Sequence, residues 1–169
     1  DHITRRQILR NVAEQVRETV NFAVPEDNGM NYIDRVETDW AFRIQLPIGT
    51  NVPFHCTASG KCFLSSLNKR ERNGILSSLK LEALTEKTHV TIEALMQELN
   101  QIKKQGYALD REEFMEGMIA IAVPIKDKED RFIGALAFHG PTQRISIENA
   151  IARKEILLNA SQKLREHLF

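Results

Sequence analysis

Apolar residues at Ile8, Val12, Val16 and Val20 recur every fourth position, with Leu9 and Ala13 widening the stripe. That spacing predicts an amphipathic helix from Thr4 to Phe22, with Thr4 as its cap. After Pro25, the stretch Glu26-Asp27-Asn28-Gly29 has turn chemistry, because Asn-Gly accepts positive φ. Two strands are expected next. The first is Met30 to Glu37, and the second is Trp40 to Leu46, where Trp40, Phe42, Ile44 and Leu46 alternate with Ala41, Arg43 and Gln45 in a half-buried pattern.

The segment Pro47 to Pro53 breaks regular structure, and Thr57-Ala58-Ser59-Gly60 then leads into an apolar helix, Lys61 to Leu67. A second short helix is expected at Arg70 to Leu79. Thr91 can cap a third, with Ile92, Leu95, Leu99 and Ile102 along one face and Gly106 as its stop. An acidic loop, Asp110 to Glu116, precedes two strongly apolar strands, Met118 to Ile125 and Arg131 to His139. The polar turn Asp127 to Asp130 links them as a central antiparallel hairpin, which Gly140-Pro141 ends. The last helix, Ser146 to His167, carries Ile147, Ile151, Leu158, Leu164 and Leu168 toward a core. The fold class is α+β, an antiparallel sheet covered by helices, in a single domain without internal repeat or dividing linker.

Composition narrows the function classes. The 169 residues are 42% hydrophobic and 27% charged, and 13 Gly and Pro together exclude disordered and fibrous readings. Apolar runs such as Met118 to Ile125 fall well short of the roughly 20 residues of a membrane span. No secretory leader opens the chain, and it starts at Asp1, so a missing upstream part is expected. The 23 basic and 23 acidic residues cancel, which argues against this piece alone holding nucleic acid. The clusters Arg5-Arg6, Lys69 to Arg72 and Lys103-Lys104 read as solvated faces. Cys56 and Cys62 do not make a disulfide framework and read as reduced, buried thiols in a cytoplasmic protein.

Candidate chemistry concentrates at Pro53-Phe54-His55-Cys56-Thr57-Ala58-Ser59-Gly60-Lys61. Small residues let the backbone approach a ligand. The helix start offers unpaired N–H groups and a positive dipole end to a carboxylate or phosphate. The alternative is a tight helix entry with a Ser cap and no ligand; the spacing is not that of a Walker loop. A zinc site or Cys–His nucleophile would draw on His55, Cys56, Cys62, Asp110 and His139, yet no CxxC or HxxxH pair supports it. Neither a metal nor a cofactor is expected. Among Asp110-Arg111-Glu112-Glu113 and Glu116, Asp110 stands out because it ends the apolar segment Tyr107-Ala108-Leu109. His139 shares a strand face with Ala137, where it either satisfies structure or donates to a small acid.

Four separated stretches carry a resemblance: Pro53 to Lys61; Gly106-Tyr107-Ala108-Leu109-Asp110-Arg111-Glu112-Glu113; Gly117 to Ile125; and Gly140-Pro141 with Arg144-Ile145. In order and spacing the chain resembles the C-terminal effector-binding domain of IclR-type bacterial transcription regulators, from the Thr4 helix to the last. The resemblance implies a GAF-like fold, a twisted antiparallel sheet with helices on both sides and a pocket on one face. It also implies an N-terminal winged helix-turn-helix that this chain lacks, assembly into homodimers or homotetramers, and small organic-acid or aromatic effectors. Operator DNA would be met only through the absent domain, and no membrane is involved.

By the same resemblance, the amides of Ala58 and Ser59 match those holding an effector carboxylate, and Asp110 matches the side chain at its polar end. Ala120, Ala137 and His139 match lining positions, while Ile44, Val52 and Met118 match the apolar wall. Members that bind small keto acids carry Cys or Ser at positions 120, 137 and 139. The two alanines and one imidazole here imply another ligand, so glyoxylate or pyruvate specificity does not carry over. The expected function is a ligand-sensing regulatory module without catalysis. The alternatives are a small enzyme or metalloprotein built on His55, Cys56, Asp110 and His139, and a free-standing GAF-type module that binds a cyclic nucleotide or serves oligomerisation.

Overall fold

The computed structural model describes residues 2–44 and 46–168. Helix α1 (His2–Val16) leads into a hairpin, β1 (Thr19–Glu26) and β2 (Gly29–Val36), and then a two-residue strand, β3 (Asn51–Val52). Helices α2 (Ala58–Ser66), α3 (Lys69–Leu76) and α4 (Ile92–Gln105) follow. Strands β4 (Ala108–Arg111), β5 (Met118–Lys126) and β6 (Phe132–Pro141) come next, and α5 (Ile147–Ala152) and α6 (Lys154–Leu168) end the chain. One sheet runs β3-β2-β1-β6-β5-β4, with every neighbour antiparallel. The α+β expectation, a curled antiparallel sheet flanked by helices, holds.

Both sheet faces are buried, but with side chains of different size. On one face Val20, Phe22, Ile119, Ile121, Val123, Leu136 and Phe138 pack with Leu9 and Val12 of α1 and Leu157 and Leu164 of α6. Burying each Leu- or Ile-sized chain contributes about 1.5–3 kcal/mol, so this face holds much of the core. The other face is alanine: Ala23, Ala108, Ala120, Ala122, Ala135 and Ala137, beneath α2 and α4. Strand alternation separates the two sets. Small residues on the second face leave space between sheet and α2.

Several elements depart from the sequence expectation. Helix α1 stops at Val16 because Arg17 takes a left-handed φ of 62°. Val20, expected to continue the helical stripe, and Phe22, expected to end the helix, instead alternate inward on β1. Val20 fits both the fourfold spacing of the helix and the alternation of the strand, so spacing alone misassigns it. The segment Trp40 to Leu46 is not a strand, and Gln45 lies outside the described residues. Trp40 and Phe42 are 38% and 54% exposed. Side chains, not a ladder, hold this segment. The Trp40 indole donates to the Arg17 carbonyl at 2.7 Å, and Arg144 donates to the Phe42 carbonyl at 2.7 Å. Arg144 also stacks over Trp40 at 4.6 Å and pairs with Glu18 at 2.7 Å.

Helix α2 begins at Ala58 rather than Lys61, and α3 runs Lys69–Leu76 rather than to Leu79. Asp110 and Arg111 belong to an edge strand rather than to the acidic loop. Strand β6 continues through Gly140-Pro141, and the last helix breaks at Arg153. Thr91 and Gly106 bound α4 as expected, Thr91 accepting from the Ala94 amide and Gly106 at φ 86°. Arg5 and Arg6 are not merely solvated: they bond Asp34 at 3.1 and 2.6 Å.

Candidate functional site

The register of the sheet sets the floor of the site. Asp110, Ala120, His139 and Thr19 are successive cross-strand partners on β4, β5, β6 and β1. One step along, Ala108, Ala122, Ala137 and Asn21 form the next row. Residues two apart share a face, so Asp110, Ala120, Ala137, His139 and Asn21 all look toward α2.

Helix α2 supplies the roof. Thr57 caps it, its hydroxyl accepting from the Gly60 amide at 3.0 Å and donating to the Pro53 carbonyl at 2.7 Å. The cap is Thr57, not the serine of the ligand-free alternative. The Lys61 amide makes the first helical bond, to the Thr57 carbonyl. That leaves the Ala58 and Ser59 N–H groups without an acceptor among the described residues. Gly60 is small for a reason other than ligand access. A Cβ there would lie 2.5 Å from the Phe54 carbonyl oxygen and 2.6 Å from Thr57 Oγ1, so glycine lets the chain fold back on itself at the helix start.

A narrow hollow separates roof from floor, bordered by Thr57, Ala58, Ser59, Asn21, Tyr32, Asp110, Phe114, Met118, Ala120, Ala137 and His139. About 10 Å³ is open to the centre of a water-sized sphere, room for roughly one water, so a larger guest must part the walls. A wider depression, of about 340 Å³, lies among the charged side chains of Lys87, Glu112 and Glu116. The narrow one is bordered by two unpaired buried side-chain atoms, on Asn21 and His139.

His139 is 3% exposed. Its Nε2 lies 3.0 Å from the Ile44 carbonyl, while Nδ1 has no partner. Burial drives the ring below its ordinary pKa, and the carbonyl contact only partly opposes this. Asn21 Oδ1 is likewise buried and unpartnered. Asp110 accepts from the Glu113 amide at 2.7 Å. Burial nevertheless pushes its carboxyl up to about 7, against the pull of the Glu113 and Phe114 amides.

Asp110 should therefore lower stability as pH rises. The unfolded carboxyl ionises near its ordinary 3.8, whereas the folded one holds its proton to about 7. Between those values the unfolded chain binds fewer protons, so stability falls with increasing pH and levels off above 7. Asp110→Asn keeps an acceptor for Glu113 and removes that slope. Denaturant titrations from pH 5 to 8.5 should give the variant an advantage growing to at most a few kcal/mol; parallel curves would contradict the assignment.

Of the sequence-nominated residues, Ala58, Ser59, Asp110, Ala120, Ala137, His139 and Met118 meet around the hollow. Val52 does not: it pairs with Met30 in the core. Ile44 enters only through its carbonyl on His139. Asn21, Tyr32 and Phe114 were missed. Assigning Asn21 to a helix hid its orientation, and Phe114 sits in a charged loop.

The Cys–His alternative lacks its geometry. His55 bonds the Glu82 carbonyl at 2.9 Å, and burial pushes the Cys56 thiol up to about 12, leaving little thiolate at neutral pH. His89, Glu98 and Glu113 do approach one another within 4.8 Å. There, however, the fully buried Lys61 ammonium lies 2.7 Å from both carboxylates and is itself the cluster's cation.

Residues 2–166 match the family model described as "Bacterial transcriptional regulator IclR C-terminal". The probable transcriptional regulator SauR of Cupriavidus necator is 36% identical over 144 residues, 85% of this chain and 57% of SauR. The transcriptional repressor IclR of Escherichia coli is 32% identical, over 93% of this chain and 58% of the repressor. The chain thus spans under three fifths of the length of these relatives. Among solved structures, the inducer-binding domain of the Acinetobacter transcription factor PobR, a double mutant in complex with 3-hydroxybenzoic acid, superposes with a TM-score of 0.87 at 25% identity. That match covers 94% of each chain. No described helix is long and apolar enough to cross a membrane. With relatives that are transcriptional regulators rather than enzymes, the chain belongs to the IclR family and is its C-terminal regulatory domain.

Proposed function

We propose that this domain senses a small carboxylate and passes its presence to DNA-binding domains carried elsewhere in the full protein. The observation that carries the reading is the pair of unpartnered N–H groups, Ala58 and Ser59, bordering the same hollow as the orphaned Nδ1 of the buried His139. A carboxylate placed on those amides replaces two missing acceptors and meets the positive end of the α2 dipole. Asp110 and His139 face the remainder of the ligand. The PobR domain, crystallised with a carboxylic acid, supports the ligand class.

The DNA-binding part is proposed to be an N-terminal winged helix-turn-helix, consistent with the balanced charge here and with the longer relatives. Control requires that the ligand favour one arrangement of a homodimer or homotetramer over another, with coupling of about 1–3 kcal/mol. His139 joins the hollow to the Trp40–Ile44 segment through the Ile44 carbonyl, so occupancy of the site is felt at an exposed aromatic loop.

A thermal-shift screen against organic and sugar acids tests this directly, because a ligand that binds only the folded state raises its Tm. At least one acid is expected to give a dose-dependent rise. Asp110→Ala and His139→Ala should each weaken its binding, by calorimetry, while remaining folded. Unchanged affinity in both variants would remove the site assignment.

A further inference from the structure

The unpaired polar atoms around the hollow lie on both of its sides. From the roof come two unpaired donors, the Ala58 and Ser59 amides, beside the Ser59 hydroxyl, which can donate or accept. The floor presents two unpaired acceptors on adjacent strands, with the Tyr32 hydroxyl as a further polar group at the border. Because the Ile44 carbonyl can only accept, the proton of His139 belongs on Nε2, and Nδ1 faces the site as a bare lone pair. Asn21 Oδ1, as placed, is a second unpartnered acceptor, and Asp110 is another polar neighbour.

We infer that the site selects a hydroxy acid, a carboxylate whose neighbouring carbon carries a hydroxyl that donates to His139 Nδ1, over the corresponding keto acid. This rests on the carboxylate reading above and adds the chemistry of the ligand's other end. A keto oxygen placed at Nδ1 would set lone pair against lone pair and leave that buried acceptor unpaired. A hydroxyl pairs with it. An ammonium would donate as well, but stripping a full charge of water in so narrow a space costs far more than burying a neutral hydroxyl.

The three-carbon acids lactate, pyruvate, alanine and propionate differ only in the group on C2, and the four-carbon analogues repeat the series. Calorimetric or NMR titration of the domain with both sets at pH 7.5 should rank the hydroxy acid first. The expected margin over its keto and unsubstituted partners is roughly tenfold to a hundredfold, the usual consequence of leaving a buried acceptor unpaired. His139→Phe, checked for folding by circular dichroism, should weaken the hydroxy acid most and propionate, which has no hydroxyl for Nδ1, least, bringing that ratio close to one.

A keto acid that binds as tightly as its hydroxy partner overturns the inference and leaves the carboxylate site standing, as does a preference that survives in His139→Phe. Tightest binding by alanine overturns it in favour of an ammonium. If no member of either set binds while another acid raises the Tm, this inference fails and the carboxylate reading stands; if no acid in that wider screen binds, both fail.

Discussion

Lys61→Met should destabilise the domain by about 3–5 kcal/mol, because it leaves the Glu113 carboxylate buried without its cation. Lys61 is fully enclosed, and its ammonium bonds both Glu113 oxygens, at 2.7 and 2.9 Å, as well as Glu98 at 2.7 Å. The cluster does more than neutralise charge. Glu113 also accepts from the Arg111 amide, and its own amide donates to Asp110. Thr85 and Thr88 hold the carbonyls of Glu112 and Glu113 from outside. Lys61 thus fastens α2 to the segment that orients Asp110. For a domain of this size the loss corresponds to a Tm fall of roughly 6–20 °C. Adding Glu113→Gln to Lys61→Met should restore part of it, since the orphaned charge goes with the carboxylate. A single variant within about 1 kcal/mol of wild type, by denaturant titration, would show that the cluster is not a stabilising tie.

The largest functional effect is expected from Ala58→Pro. Ala58 opens α2, the position where proline's fixed φ is already helical and its missing N–H was unpaired. Thr57 before it is extended, at φ −111° and ψ 152°, the conformation a residue preceding proline prefers. Stability should therefore change by less than about 1 kcal/mol. Carboxylate affinity should fall by about tenfold to several hundredfold, from the lost charge-assisted hydrogen bond and from ring carbons placed in the hollow. Ala58→Gly, which keeps the N–H, should bind nearly normally. A proline variant that is folded and binds with wild-type affinity would mean that the Ala58 amide does not touch the ligand.

Where one physical signal dominated, the elements were legible. Thr91 and Gly106 punctuate α4 chemically, and the β5–β6 hairpin is announced by two apolar runs around a polar turn. Legibility failed where two signals agreed by accident. Val16 and Val20 keep helical spacing across a helix end that only the left-handed Arg17 marks. Alternation at Trp40, Phe42 and Ile44 imitates a strand, yet Arg144 and His139 bond that backbone from elsewhere in the chain and the Trp40 indole donates to the Arg17 carbonyl, over separations no local pattern records.

The site divides in the same way. Ala58 and Ser59 could be nominated from the chemistry of a helix start, and Asp110 and His139 from their places at the ends of apolar segments. Asn21 could not, because its role depends on which face of β1 it occupies, and that required knowing β1 was a strand. The resemblance placed Val52 in the wall, but its pairing with Met30 takes it into the core instead. The alanine floor was visible only as apolar runs until the register put Ala108, Ala122 and Ala137 side by side.

The most direct measurement follows the amide protons of Ala58 and Ser59 by NMR as the domain is titrated with the acid that most raises its Tm. A carboxylate seated on them moves both resonances downfield and slows their exchange with solvent, with Gly60, already bonded to Thr57, changing least of the three. Saturable binding that leaves Ala58 and Ser59 unmoved while other parts of the chain respond would contradict the account.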